Sequence, residues 1–133
     1  MNSKNPFEDA PVIFSYTRAQ AIDDGVLADL TSWATETGFK VPVACTSAVW
    51  HGYVVPPQAT KPLGQSERGR AHDLLWVLFV AIKASKNAKR DQILYRVLFL
   101  QAPGKTVEVT LKAHFGPSDD GELVVTIMLP DQD

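Results

Sequence analysis

The residues best equipped for chemistry in this chain fall in two clusters. One is Asp119-Asp120-Gly121-Glu122, where several carboxylates lie close enough to hold a hard divalent cation. Such a site wants oxygen ligands at alternating loop positions and a bidentate Glu further along than this chain provides. Asp-Gly after Pro117 is turn chemistry, because Asp bonds its own backbone and Gly accepts positive φ. A structural turn is therefore expected, and no metal. The other cluster is Arg68, Arg70, His72 and Asp73, at the start of a predicted helix whose free amides attract anions. Cations there oppose the helix dipole, and local conflict of this kind marks sites. The cluster is the expected place for an anionic ligand or a partner, with solvated side chains as the plain alternative.

Other arrangements are weaker. Glu108 and Lys112 are too far apart for the Glu-x-Lys of a metal-dependent nuclease, so a cross-strand pair of Glu108 with Arg96 is expected instead. Cys45 and His51 lack a third group to orient the imidazole, and Cys45 between apolar neighbours reads as a buried, inert thiol. PLGQSERGR has two glycines but not the Lys-Ser/Thr ending of a phosphate-binding loop. No catalytic residue and no cofactor are expected. Trp76, inside an apolar run, is expected in the core; Trp33 and Trp50 are core residues or partner anchors, and Trp50 and His114 join the expected binding set.

Chain length and charge narrow the classes. The 133 residues make one α+β domain with a single core, and residues 1–10 are expected to be a flexible tail. Net charge is −2, yet residues 61–90 carry 7 basic and 2 acidic groups between acidic flanks. A nucleic-acid binder is usually basic overall, so nucleic acid is not expected as a partner. The longest apolar run, residues 74–82, is too short to cross a bilayer. With no secretory signal pattern at the start, a cytoplasmic location is expected.

Periodicity and punctuation place the elements. VIFSY (12–16) reads as a strand, Thr17 with Gln20 as a capping box for a short helix stopped by Gly25, and VLADL (26–30) as a brief strand. Thr31 or Ser32 starts a second short helix closed by Gly38, Pro42 argues against a regular central strand at KVPVA, and Thr46 caps a third helix. Residues 56–66 read as a long loop, and a principal helix runs from about Glu67 to about Lys86, buried on more than one face. Lys83, Lys86, Lys89 and Arg90 then complement its dipole.

Three strands, 93–100, 107–115 and 123–129, form an antiparallel meander. The middle strand alternates, with Val107, Val109, Leu111, Ala113 and Phe115 opposite Glu108, Thr110, Lys112 and His114. Its neighbours are apolar on both faces, and the meander leaves both at potential edges. Two outcomes would cover them: either the N-terminal segment at 12–16 or 26–30 pairs with an edge and the early helices cover the second face, or, as is favoured, a homodimer or partner interface forms, centred on Leu98, Val124 and Met128.

Several stretches together carry a resemblance: YTRAQAIDDGVLADLT (16–31), GFKVPVACTSAVW (38–50), GRAHDLLW (69–76) and GPSDDGELVVTIMLP (116–130). They resemble a family of small uncharacterised proteins of bacteria, their plasmids and phages. In it the principal helix begins Gly-Arg-x-x-Asp, matched by Gly69, Arg70 and Asp73, and the last turn is similar to Gly116-Pro117 with Asp119, Asp120 and Gly121. The resemblance implies a mobile-element accessory role and carries no activity. The resulting expectation is a non-enzymatic protein that binds a protein of its host, including a defence protein. The alternative is a small enzyme or anionic-ligand binder using residues 56–73.

Overall fold

Thr17 starts helix α1 (Arg18–Asp23) with the expected capping box: its hydroxyl accepts the Gln20 N–H at 3.0 Å, and the Gln20 side chain accepts the Thr17 N–H at 2.9 Å. Two donors at the helix start are thereby satisfied. Gly25, at φ +80°, turns the chain into strand β1 (Leu27–Asp29). Helix α2 (Thr31–Thr37) follows, but neither Thr31 nor Ser32 caps it; the cap position is Leu30. The Thr31 hydroxyl instead donates to Asp29 and accepts the Val43 N–H at 3.2 Å. α2 ends at Gly38, whose φ of +126° suits glycine and where an added Cβ would lie 3.1 Å from the Phe79 ring.

The computed structural model describes residues 17–85 and 91–132. The expected strand at 12–16, the tail at 1–10 and the cationic residues Lys86, Lys89 and Arg90 lie outside the described residues.

Pro42 does not prevent a strand. β2 (Val43–Thr46) begins immediately after it, and the Pro42 carbonyl accepts the Val125 N–H at 3.0 Å. At a strand's leading end the missing proline N–H costs no ladder bond. Thr46 caps α3 (Ser47–Val49), which continues as a π-helical turn over Trp50–Val54 and stops before Pro56. The stretch 56–66 is more ordered than a loop: Gln58–Leu63 form a 3-10 helix with Thr60 buried, closed by Gly64 at φ +90°. Ser66 then caps α4 (Glu67–Ala84) through the Gly69 N–H at 3.0 Å.

After α4 come β3 (Gln92–Ala102), β4 (Lys105–Pro117) and β5 (Leu123–Met128), the antiparallel meander expected from the alternation. The sheet has five strands in the order β1-β2-β5-β4-β3, with β2 parallel to β5. β5, a potential edge of the meander, is thus an interior strand because β2 pairs with it, and the edges of the sheet are β1 and β3. α4 lies on one face, where Leu74, Leu75 and Leu78 pack with Tyr95, Val97, Phe99, Leu111 and Ile127. Truncating one such leucine to alanine costs about 2–5 kcal/mol. Only one stripe of α4 is buried, and Trp76 is 49% exposed and outside the core, against expectation. An apolar run shows that a helix is hydrophobic, not which of its sides has a neighbour.

Candidate functional site

The alternation of β4 puts Leu111 and Ala113 into the core and aims Lys112 and His114 at the other face of the sheet. On that second face, pairing sets His114 beside Thr126 and Lys112 beside Met128. α1 covers this face over β5. The Arg18 guanidinium donates to the Thr126 hydroxyl at 2.7 Å and to the Val125 carbonyl at 2.8 Å. Burial depresses the Arg18 pKa, while Asp29 and Asp119 act in the opposite sense.

Asp119 is engaged by the fold. Its carboxylate accepts the backbone N–H of Arg18 at 2.9 Å and of Ala19 at 3.4 Å, so it caps α1 from 101 residues away. Asp120 accepts the Ser118 hydroxyl and the Glu122 N–H, which hold its carboxyl below the usual range. Gly121 takes φ +86°. Both carboxylates serve the fold, and no cluster of three or more His, Cys, Asp or Glu suited to a metal occurs among the described residues.

Between α1 and β3 the second face opens into a groove of 640 Å³, with Leu27, Gln92, Lys112, His114, Thr126 and Met128 in its walls. A hollow of 270 Å³ shares Ala21, Leu27, His114 and Thr126 with it. The His114 ring folds back over Gly116, where a Cβ would come within 2.9 Å of its Cε1. Glycine is what allows that pose. Lys112 Nζ donates to the Gln132 carbonyl, and the Gln132 side chain accepts from Thr46 and from the Leu129 N–H. The His114 nitrogens have no hydrogen-bond partner among the described residues. The groove therefore offers an imidazole and a wall of mixed apolar and hydroxyl character, suited to hydrogen-bonding a polar segment.

Beyond the groove, β3 leaves Leu94 59% and Leu98 62% exposed on the same face, flanking an exposed Arg96–Glu108 pair at 3.7 Å. The pair forms as the sequence suggested, diagonally, since Arg96 faces Thr110. Val124 and Met128, the other expected interface residues, are buried within the chain. Of the three, Leu98 alone presents itself to a neighbour.

The Arg68, Arg70, His72 and Asp73 cluster is divided by the helix. Arg68 pairs with Glu36 at 2.8 Å and shares with His72 a shallow depression of 410 Å³ beside Trp33. Asp73 is exposed, its carboxyl raised by partial desolvation against the opposing charges of His72 and Arg70. Arg70 turns the other way and is 1% exposed. Nε donates to the Tyr53 carbonyl at 2.6 Å, Nη1 to the Leu100 carbonyl at 2.7 Å and to Gln65 at 3.0 Å, and Nη2 to Gln101. The Phe99 ring lies 5.0 Å from Cζ. Burial lowers the Arg70 pKa, and Asp73 opposes the shift. Arg70 ties the π-helical turn and the end of β3 to α4. A signal for this was present: Arg70 precedes Leu74 by four residues and Leu78 by eight, on the buried stripe. Trp50 stacks on Trp33 at 6.4 Å, both half-buried, on a different part of the molecule from His114. Cys45 is fully buried, and burial pushes its thiol up to about 12.

Fold and groove together define an α+β protein with one helix-backed sheet whose second face is half covered. The chain belongs to DUF6573, a family of unknown function whose model matches residues 1–133. No curated protein and no solved structure matches it.

Proposed function

We propose that this protein is a non-enzymatic binding protein, an accessory of a mobile element, that engages a host or defence protein through the open half of its second sheet face. The observation that carries this reading is the pair Leu94 and Leu98 on edge strand β3, each more than half exposed on one face. An edge strand offers unpaired backbone groups as well as side chains, so a partner gains hydrogen bonds and apolar burial together. The groove with His114 lies on the same face and extends that surface. The mobile-element setting rests on the sequence resemblance. The alternative, an anion site at 56–73, is weakened because Arg70 spends its donors inside the fold.

A photo-cross-linking residue at position 98, introduced in cells of the host, tests the reading. The expected result is one dominant adduct with another protein that is absent when the same group sits at exposed Glu122. An adduct between two copies of this chain would make the surface a homodimer interface. An intrachain adduct to residues 1–16, or identical adducts at 98 and 122, would overturn the proposal.

A further inference from the structure

α4 carries two apolar stripes, and the core uses one. Ala71, Leu74, Leu75 and Leu78 are fully buried, whereas Trp76 and Val80, four residues apart on the outer side, are 49% and 46% exposed. This outer stripe is ordered by its own contacts. Trp76 stacks on Phe79 with ring centres 6.0 Å apart, Phe79 meets Phe39 edge-on at 5.6 Å, and Lys83 Nζ sits 5.3 Å over the Phe79 ring. A tryptophan held by stacking loses little further freedom when a partner covers it, which is why rigid aromatics anchor protein interfaces.

Charge selects the partner. Lys83 closes the stripe at its carboxyl end, exposed Lys40 follows Phe39 in the chain, and no Asp or Glu occurs between Asp73 and Asp91. Asp73 stands at the opposite end and gives the stripe a polarity. We infer that the Trp76–Val80 stripe of α4 docks an acidic amphipathic segment of a partner protein, its apolar side chains on Trp76 and Val80 and its carboxylates at Lys83. The stripe faces away from the sheet and is independent of the Leu94–Leu98 surface, so either proposal can fail alone.

Fluorotryptophan labelling gives one fluorine signal for each of Trp33, Trp50 and Trp76, the last assigned with Trp76→Phe. The probe is a synthetic helix-forming peptide with Leu at i, i+3, i+4 and i+7 and Glu elsewhere. The expected result is a saturable shift of the Trp76 signal alone, weakened about tenfold or more by Val80→Asp and by Lys83→Glu. Both positions are exposed, so the variants should keep the parent's melting temperature within a few degrees. A peptide with Lys for every Glu should leave the signal unmoved. The inference is overturned if the acidic peptide leaves Trp76 unmoved, or if the lysine peptide, phosphatidylcholine–phosphatidylserine vesicles or a thymidine oligonucleotide move it as strongly.

Discussion

Replacing Arg70 with methionine, which has similar reach and no charge, should destabilise the protein by about 3 kcal/mol. The guanidinium makes four hydrogen bonds, two of them to the backbone carbonyls of Tyr53 and Leu100. The carboxamides of Gln65 and Gln101 are half-exposed and can turn to water, but the carbonyls are fixed by the π-helical turn and by β3. A buried polar group left without a partner costs about 1–3 kcal/mol. Loss of the Phe99 contact adds about 1–2 kcal/mol, and release of a desolvated charge returns a comparable amount. The remainder is the stranded carbonyls. For a chain of this size about 3 kcal/mol corresponds to a fall in Tm of roughly 10–15 °C. Urea unfolding followed by tryptophan fluorescence measures it, with Arg68→Met as control. Arg68 pairs with Glu36 in the open, and its loss should cost under about 1 kcal/mol. If Arg70→Met were within about 1 kcal/mol of the parent, the account of Arg70 as an internal tie would be refuted.

Asp119→Ala should lower stability by about 0.5–2 kcal/mol through the lost α1 cap, while the parent's Tm stays indifferent to Ca²⁺ and Mg²⁺; a cation-dependent rise in the parent would contradict the capping role. At pH 8 native Cys45 should react with a thiol reagent far more slowly than a free cysteine and at the ordinary rate in urea, because its sulfur is buried and burial raises the thiol pKa; rapid native labelling would argue against it. The Asp120 carboxyl, lowered by the Ser118 hydroxyl, adds stability that is present above the unfolded carboxylate pKa and lost as pH falls through the folded one. Ser118→Ala should therefore move the Asp120 carboxyl titration upward in NMR, and an unchanged midpoint would count against the bond.

Local signals were legible. The capping box at Thr17 and Gln20, the glycine stops at Gly25 and Gly38 and the alternation of β4 each act within a few residues, and each appears where the sequence placed it. What the sequence concealed acts at long range. β2 gains its place from β5, some 80 residues on, and Pro42 looked prohibitive only because that partner was invisible. Asp119 could be recognised as a turn residue but not as a helix cap, since its donors belong to Arg18 and Ala19. Of the site residues, His114 stands on the open face as the alternation of β4 implied and Leu98 is exposed there on β3, whereas Val124 and Met128 are buried on the same face, Met128 in the wall of the groove. Trp76 and Arg70 exchanged the surroundings that their side-chain types suggest.

The interior position of β5 has a consequence for a chain made from its amino end. Residues 123–128 are translated after every other described strand, yet they hydrogen-bond on one side to β2 and on the other to β4. Until they join, β1–β2 and β3–β4 share no ladder, and each pair rests on its neighbouring helices rather than on a common sheet. β5 is thus the strand whose pairing joins the two halves, so the full sheet requires its arrival.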